Sequence, residues 1–575
     1  MKVAKDQMKK RVCSICFLVV GLLLGFFSDT YADATERIGN QISKDLYESR
    51  LDRGLRNTEP YSYLLIEMAR QERSGAEELL SKAKKFSPDL PVVYFKLSKE
   101  SLSLSTPRIF EGVDYFRQGI NAYGRNFWFE FDLAGLFFLS LILSVMLSMV
   151  ITATVRFPEE SRLLLHDMGE DKRKYLFLAA LILVSFFGPF AFLAALLFML
   201  GIYFKKMDKA VVYIALLSLL LHPLFLRIGN SFLSAPSPQL RAIVSVNERR
   251  DNGYALQVLR NKDDFASAFS YALALNREGR YHEAVGIFKT LTERYNDPRP
   301  YVNLGNSYYG LGDKEAAVGA YEASLTIRPL PSALYNLSQI YRERLDFPKG
   351  DEYFLKAAKL DQESVFGFTS FSGSSPTRFV VDEIIPTSDF WGYVTESLNA
   401  GGAWTTARGS SSTLIAIVMV PLFYTISRRL KYRAQRCKRC GAVFCSRCSR
   451  VIAWHEMCRQ CQSSLIRIEE LESRERTARL LALYQRQTKR RRTVKMLSYL
   501  MPGLGQIYAG RIFPGFLLLL GGMFFLITSV LVLFSFVGPF PFTHEWIIPF
   551  ALVFLGMFYI ISLVHLRKGL RKGWL

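Results

Sequence analysis

The sequence has no cysteine between Cys16 and Cys437, and six of its eight cysteines lie between Cys437 and Cys461. A disulfide is therefore excluded for the long stretch that separates the two groups. Cysteine usage gives no indication of the redox compartment of its soluble parts. The first group, Cys13 and Cys16, lies in an apolar run near the amino terminus, where we expect it to have no role in the mature protein.

The sequence also lacks the common motifs of catalysis. No G-x-S-x-G, phosphate-binding loop or H-E-x-x-H sequence occurs. Each of these chemistries requires its residue types at a fixed spacing. The six histidines are scattered along the chain: His166, His222, His282, His455, His544 and His565. We therefore predict a protein that is not an enzyme.

Apolar residues, in contrast, are abundant. Half of the 575 residues are hydrophobic and the mean hydropathy is positive at +0.13, although 22% of the residues are charged. These values are compatible only if apolar and charged residues are segregated along the chain. This segregation is typical of a membrane protein that also carries soluble domains.

Residues 1–34 have a basic start, a short apolar stretch from Val12 to Phe27 and the sequence Ala32-Asp33-Ala34. This pattern predicts a secretory signal peptide, with an uncleaved amino-terminal anchor as the alternative. Both interpretations place the residues that follow outside the cytoplasm. Longer apolar runs predict transmembrane helices within 129–230, 412–427 and 495–575.

The apolar segment 175–204 is too long for one simple span and short for two, and Gly188-Pro189 lies in its middle. A single kinked helix and a re-entrant hairpin of two half-helices both fit this length. Basic residues at both ends favour the hairpin, because both ends would then face the cytoplasm.

Residues 240–363 contain an internal repeat, whose constant period aligns Ala284 with Ala317 and Gly350. The middle copy carries the pattern best, at Tyr301, Leu304, Gly305, Tyr308, Ala317, Tyr321 and Pro329. These positions resemble the tetratricopeptide repeat (TPR), in which small residues lie where two helices touch and large ones fill the gap to the next hairpin. Because Gly350 replaces the expected alanine in the third copy, we predict that the array ends with this copy.

Two further segments flank this array and the first membrane region. Residues 35–128 show the rhythm of helix, turn, helix and proline, which predicts a TPR-like helical domain with few consensus residues. Residues 364–411 are rich in Gly, Ser and Thr with apolar islands, which predicts a partly ordered linker that could pack on the repeats.

The cysteine-rich module, residues 436–463, contains three C-x2-C pairs formed by Cys437, Cys440, Cys445, Cys448, Cys458 and Cys461. Two such pairs complete a tetrahedral zinc shell, and the pattern resembles bacterial zinc-ribbon and treble-clef-like modules. We expect Cys437, Cys440, Cys458 and Cys461 to form one closed zinc site. The remaining pair would join an incomplete or shared second site, for which His455 is a candidate ligand.

The stretch from Tyr499 to Arg511 resembles the opening of small two-span bacterial membrane modules called TM2-like domains. The resemblance rests on Pro502, Gly503, Gly505, Gln506, Tyr508 and Gly510. It implies a fold and no reaction: glycines that let helices approach closely, with hydrogen bonds from Gln506 and Tyr508.

Positive charge is concentrated next to the membrane. Residues 428–495 contain 20 Lys and Arg against five Asp and Glu, an excess of 15 out of the net charge of +22. This region includes a predicted basic amphipathic helix at 464–494. The excess predicts a cytoplasmic location and attraction to anionic lipid. The lack of an aromatic stacking array beside the arginines argues against nucleic acid as a partner.

The sequence thus predicts a mostly α fold, with transmembrane helices, TPR-like helical hairpins and a small zinc-ribbon or treble-clef-like module. We expect a multi-pass protein of a bacterial inner membrane, with periplasmic repeats and a cytoplasmic zinc module and carboxyl terminus. The favoured function is a scaffold or adaptor that binds proteins or peptides on its repeats in an envelope complex. A component of a transport or secretion system and a transmembrane signalling protein are the alternatives.

Overall fold

The structure, a computed structural model, describes residues 54–71, 75–102, 108–168, 173–374, 380–399, 403–429, 434–437, 441–445, 458, 461, 473–534 and 544–571. The predicted signal peptide at 1–34 lies outside these residues. Within them the chain forms 24 α-helices and one sheet of two short strands. The predicted mostly α fold is confirmed.

The chain divides into two compact units. The described residues up to Asn126 and from Arg241 to Thr387 form the first unit, and Phe127–Leu240 and Ser388 onward form the second. The helices before the first membrane region are α1 (Glu59–Gln71), α2 (Ala76–Phe86), α3 (Pro91–Ser101) and α4 (Ile109–Tyr123). The next are α5 (Phe127–Met168), α6 (Arg173–Ser185), α7 (Pro189–Gly201), α8 (Ala210–Leu220) and α9 (His222–Ser234).

The repeat region follows, and its helices are α10 (Pro238–Asn247), α11 (Gly253–Val258), α12 (Phe265–Arg277), α13 (Tyr281–Arg294), α14 (Pro298–Gly310), α15 (Lys314–Ile327), α16 (Pro331–Glu343), α17 (Phe347–Leu360) and α18 (Gln362–Ser374). The last part contains α19 (Thr387–Asn399), α20 (Ala403–Arg429), β1 (Gln435–Arg436), β2 (Val443–Phe444), α21 (Ser473–Leu500), α22 (Leu504–Tyr508), α23 (Ile512–Leu533) and α24 (Ile547–Arg571).

In the first unit, residues that precede 127–240 in the sequence pack against residues that follow it. The side-chain amide of Asn57 donates to the carbonyl of Glu248 at 3.0 Å. The Arg250 guanidinium pairs with the Glu59 carboxylate at 3.1 Å, and both side chains are largely buried. The helices α1–α4 and the repeat array are therefore parts of one folded body, although the whole first membrane region separates them in the sequence.

The repeat array consists of three helix pairs, α12 with α13, α14 with α15, and α16 with α17. Local signals recur with the period of the repeat. Asp264 and Asp297 cap the first helices of two copies by accepting hydrogen bonds from main-chain N–H groups, and Asp313 and Asp346 cap the second helices of two copies. Small residues such as Ala317 and Ala333 are fully buried between helices.

The second unit has two chemically different ends, defined by the ends of α5. At the amino-terminal end, the aromatic end, the Phe127 and Trp391 rings lie 5.6 Å apart and the Phe131 and Phe232 rings 4.9 Å apart. The opposite, charged end is lined by Arg156, Glu159, Asp167, Asp208 and Arg436. The 42 residues of α5 span about 63 Å, more than the bilayer core of about 30 Å.

The segment 175–204 is broken into α6 and α7, and Gly188 between them has a positive φ of 104°. The hydroxyl of Tyr203 donates to the carboxylate of Asp167 at 2.9 Å. A straight helix from Arg173 to Tyr203 would be about 45 Å long, whereas the six residues from Asp167 to Arg173 reach at most about 21 Å. The segment therefore folds back, and both of its ends lie at the charged end.

Among the described residues, four helices are long and apolar enough to cross a membrane, within Phe127–Asp167, Ser411–Arg429, Ile512–Leu533 and Ile547–Arg571. A fifth span arises if α8 and α9, which meet at a bend of 53°, are counted together. The predicted span at 412–427 is part of the longer helix α20, because the helix continues through the preceding Ser- and Thr-rich residues.

Contacts at the ends of these helices show which end of the second unit each one reaches. Lys209, just before α8, donates to the carbonyl of Ser427 at the charged end of α20. The carboxylate of Asp208 accepts a hydrogen bond from the N–H of Phe513 at the start of α23, at 2.8 Å. Near the aromatic end, Leu531 of α23 packs with Leu136 of α5.

Candidate functional site

An extended segment of the chain, residues 380–386, lies against the first helices of the repeats. We call these residues the internal segment, and the surface formed by α10, α12, α14 and α16 that holds it the groove. Alternate residues of the internal segment hydrogen-bond to the groove through the main chain. A period of two is typical of an extended backbone. All of these residues belong to the first unit.

Two asparagines one repeat apart bind the main chain of the internal segment. The Asn336 side chain donates to the carbonyl of Val381 at 2.9 Å and accepts from its N–H at 2.7 Å. The Asn303 side chain makes the same pair of hydrogen bonds with Glu383, both at 2.9 Å. The asparagines occupy equivalent positions in successive copies, and their partners lie two positions apart, so each of these two copies binds one dipeptide.

A third asparagine, at a position that is not equivalent to the other two in the repeat, extends this series of hydrogen bonds. We call the three residues the asparagine ladder. Asn247 in α10 accepts a hydrogen bond from the N–H of Ile385 at 2.7 Å. Its amide also donates to the hydroxyl of Ser270 at 2.8 Å. Ser270 lies one repeat before Asn303, at the equivalent position of the first copy. The serine side chain is too short to reach the internal segment. It instead orients the amide group of Asn247, which binds the segment.

The carboxylate of Asp382 is recognised by charge. The Arg277 guanidinium donates to it at 3.0 Å, and both side chains are nearly inaccessible to solvent. The Asn306 amide donates to the second carboxylate oxygen at 3.1 Å. Arg277 is itself held by a hydrogen bond to the carbonyl of Val246 at 2.7 Å. Charge-assisted hydrogen bonds in a buried site are stronger than neutral ones, so Asp382 is the main side-chain anchor.

The groove side chains are held in place by a buried polar network. The Tyr321 hydroxyl donates to the amide oxygen of Asn306 at 2.7 Å, and the Asn336 amide donates to the same oxygen at 3.0 Å. Burial raises the pKa of the Tyr321 hydroxyl well above its usual value, so it remains a donor at neutral pH. A Cβ at position 305 would lie 2.5 Å from the Tyr321 ring, which explains why a glycine is required there.

Glu383 and Val381 complete the contacts of the internal segment. Ser332 donates a short hydrogen bond to the Glu383 carboxylate. Burial nevertheless raises the pKa of that carboxyl above its ordinary value of 4.5. Val381 is buried in an apolar cluster with Leu334, Tyr335, Ala357 and Val365.

The predicted repeat residues occupy the following places. Leu304, Ala317 and Tyr321 are buried, and Gly305 faces the Tyr321 ring. The Tyr301 hydroxyl donates to the carbonyl of Thr292 at 3.2 Å. Tyr308 is partly buried and packs against the core of the array, and Pro329 is exposed after the end of α15. Asn303 and Asn336 are not among the predicted site residues, although they recur in the sequence with the period of the repeat.

A second candidate site is formed by cysteines near the β-hairpin. The sulfur atoms of Cys437, Cys458 and Cys461 lie within 4.8 Å of one another, and the N–H of Cys458 points to the sulfur of Cys437 at 3.3 Å. Sulfurs bound to one tetrahedral zinc are about 3.8 Å apart, for Zn–S bonds of about 2.3 Å. These three thiolates could hold a metal ion.

Of the other predicted ligands, the structure describes only Cys445. Cys445 is buried next to β2 but is not one of the three clustered cysteines. Cys440, Cys448 and His455 lie outside the described residues. The fourth ligand of the predicted closed site, Cys440, therefore stays a prediction.

The cysteine hairpin is joined to the charged end of the second unit. Gln435 pairs with Phe444 and Arg436 with Val443 in the antiparallel hairpin. The Arg436 guanidinium pairs with the Glu159 carboxylate at 3.1 Å. Glu159 also pairs with Arg156, at 2.9 Å. A metal site here would stabilise a hairpin that is fixed to the long helix α5.

The glycine-rich motif before α23 packs tightly against the last helix. Gly503 has a φ of +85°, and its N–H donates to the Ser562 hydroxyl at 2.9 Å. The fully buried Gln506 amide donates to the carbonyl of Ser562 at 2.8 Å. A Cβ at Gly515 would lie 2.8 Å from the carbonyl oxygen of Gly503.

The other motif residues lie around this contact. Gly505 is buried against Ser498, Pro502 packs on Gly522, and Gly510 has a positive φ of 85°. The carbonyl of Tyr508 accepts a hydrogen bond from the guanidinium of Arg156 at 3.4 Å.

Comparison with protein families matches one copy of the array. The model of the tetratricopeptide repeat matches residues 298–329, which are α14, α15 and their connection. A search of curated proteins found no match to the chain. The family match therefore supports a repeat that mediates contacts between proteins, and it covers only a small part of the chain.

Proposed function

We propose that the protein is a non-enzymatic membrane scaffold or adaptor that binds an extended segment of a partner protein on its tetratricopeptide repeats. The observation that carries the proposal is the asparagine ladder, in which Asn303 and Asn336 bind main-chain groups two positions apart. Repeat arrays commonly present such surfaces to peptides. Candidate membrane-spanning helices would fix this surface at a bilayer.

The proposed topology has the repeats on one side of the membrane and the cysteine module on the other. Contacts such as Asn57 with Glu248 keep both parts of the first unit on one side, so residues 127–240 would cross an even number of times. With α5 and the α8–α9 pair as two crossings, α6 and α7 would re-enter from the charged end. The basic residues of 428–495 support a cytoplasmic charged end.

We further propose that the membrane is the inner membrane of a bacterium and that the repeats are periplasmic, in an envelope complex. The resemblance of the motif from Pro502 to Gly510 to TM2-like modules supports this assignment. Zinc is the metal proposed for the cysteine module, because thiolates at C-x2-C spacing favour it. The basic segment before α22 would bind anionic lipid.

The experiment that tests the scaffold function is photocrosslinking in native membranes. A photoreactive residue replaces Gln339, the equivalent of Asn306 in the next copy, and as a control Lys289, which is exposed on the second helix of the first copy. A protein adduct at 339 that is absent at 289 supports binding at the groove. If both positions yield the same adducts or none, the groove does not bind a partner protein in the membrane.

A transport component is the second candidate function, and one observation favours it. The break before α7 and the break between α8 and α9 lie together, with the Phe190 and His222 rings 5.6 Å apart. The imidazole of His222 is 3.0 Å from the Ser412 hydroxyl. Broken helices that meet within a bilayer are typical of transporter binding sites. Loss of a transported substrate's uptake in His222→Ala, with the groove adducts retained, would support this alternative.

A further inference from the structure

The contacts of the internal segment are those of a bound peptide. Its main chain is bound at Val381, Glu383 and Ile385, so these hydrogen bonds place no demand on residue type. Selectivity comes from the buried position of Asp382 and from apolar burial of residues 381 and 385. The groove thus combines general main-chain recognition with one specific anionic position.

We propose that residues 380–386 are an internal ligand that keeps the groove occupied, and that a partner segment of the same chemistry displaces it. The partner segment would be extended and would carry an apolar residue, an aspartate, a second acidic residue and two apolar residues, as Val381–Ile385 does. This inference rests on the proposed protein-binding function of the repeats. It adds the chemistry of the partner and the means by which its binding is regulated.

The buried charge explains why the partner must supply an aspartate. The Arg277 side chain is inaccessible to solvent and held towards the groove by the carbonyl of Val246. When the internal segment leaves, Arg277 loses its ion pair with Asp382. A buried guanidinium without a carboxylate is costly, so a neutral peptide would bind poorly in this position.

Displacement would also act on the chain that follows. The last residue of the first unit is Thr387, directly after the internal segment, and from Ser388 onward the chain belongs to the second unit. Residues 387–399 form α19, and α20 with its candidate span follows. A partner that replaces the internal segment therefore frees residues 380–386 from the groove, and these residues directly precede α19 and α20 in the chain.

The test uses the full-length protein in detergent and a fluorescein-labelled peptide, Val-Val-Asp-Glu-Ile-Ile-Pro, with the sequence of residues 380–386. Fluorescence anisotropy measures its binding to the wild-type chain and to Asp382→Asn. A tethered ligand competes at an effective concentration in the millimolar range. We expect the variant, whose internal segment has lost its charged anchor, to bind the peptide about tenfold more tightly or better.

Two matched peptides test the recognition itself. A peptide with asparagine in place of aspartate loses the pairing with Arg277, and one that is N-methylated at the glutamate loses the hydrogen bond to Asn303. Both should bind Asp382→Asn at least about tenfold more weakly than the parent peptide. Equal binding of all three peptides would overturn the proposed recognition.

A second variant of the protein keeps the inference testable if Asp382→Asn does not fold. Glu383→Pro removes the N–H that binds Asn303 and leaves Asp382 in place. It should also bind the labelled peptide more tightly than the wild type, with an unchanged circular dichroism spectrum. If both folded variants bind the peptide no better than the wild type, the internal segment is a fixed part of the fold and the inference fails. Partner adducts at position 339, one repeat beyond Asn306, would in that case place the partner beside the fixed segment and still support the scaffold function, so the two failures are distinguishable.

Discussion

Leu345 has the same left-handed backbone conformation as Gly312, its equivalent one repeat earlier. The φ angles are +63° at Leu345, +84° at Gly312 and +78° at Gly279, the equivalent of the first copy. These residues form the turn between the two helices of each copy. A side chain with a Cβ is strained in this conformation and glycine is not, so the third turn of the array contains a strained residue.

The first prediction follows from this strain. Leu345→Gly should stabilise the third copy by about 0.5–1 kcal/mol, because the left-handed penalty exceeds the entropy that glycine adds to the unfolded chain. Leu345 is largely exposed, so little packing is lost. Hydrogen exchange of the α16 and α17 amides measures the effect. Gly312→Leu is the matched control and should accelerate exchange in α14 and α15. Faster exchange in Leu345→Gly would contradict the prediction.

The second prediction concerns the contact between Gln506 and Ser562. Gln506→Leu removes the hydrogen bonds between the Gln506 side chain and Ser562, which should lower the free energy of unfolding of the last two spans by about 1 kcal/mol. A titration with sodium dodecyl sulfate measures the change. Thr425→Val, at an exposed hydroxyl that bonds only its own helix, is the control and should have no effect. An equal effect of both variants would show that the interhelical bond is unimportant.

The third prediction follows from the hydrogen bond between Tyr203 and Asp167. Because 173–204 folds back, residues 127–240 should cross the membrane an even number of times, so a topology reporter placed after Asp361 should lie on the same side as one placed after Gly124. Paired periplasmic and cytoplasmic reporter fusions, expressed in a bacterium, measure this. If these two reporters lie on opposite sides, residues 127–240 cross an odd number of times and the proposed topology is wrong.

The sequence predicted those features that depend on local pattern. The constant spacing of Ala284, Ala317 and Gly350 predicted the repeats, because helix packing imposes small residues at fixed positions. The sequence also predicted that the linker 364–411 could pack on the repeats, but not that Val381 and Asp382 occupy the groove, since such a contact depends on residues far apart in the chain. Two of the three asparagines, Asn303 and Asn336, recur with the period of the repeat and could have been found in the sequence. Asn247 does not follow this period. The left-handed turn of the third copy could not be predicted, because Leu345 occupies the position at which the other copies have glycine.

The fourth prediction concerns the cysteine cluster. Cys458→Ser should remove one equivalent of bound zinc from the purified protein, because it removes a thiolate from the group formed with Cys437 and Cys461. Cys445→Ser, at a buried cysteine outside that group, should retain at least one equivalent. Elemental analysis of both variants by mass spectrometry measures the content. Equal metal content in Cys458→Ser and the wild type would exclude the cluster as the zinc site.

The last prediction is a pH dependence of the internal segment. Burial raises the pKa of Glu383 in the docked state, while the released segment has the ordinary value of 4.5. The docked state therefore binds a proton more tightly, so docking should strengthen as the pH falls from the raised value towards 4.5 and weaken as the pH rises. The nearby charged groups Arg299, Arg328 and Asp297 modify the size of this effect but not its direction.

Hydrogen exchange at the N–H groups of Val381 and Ile385, which the groove binds, measures docking at each pH. Glu383→Gln is the control, because it keeps the shape of the side chain and cannot ionise. Relative to this variant at the same pH, the wild type should be less protected at neutral pH and should approach it as the pH falls towards the ordinary value of a glutamate carboxyl. A constant ratio between the two proteins would mean that Glu383 is not desolvated in the groove. Greater protection of the wild type at neutral pH would mean that its charged form is stabilised there.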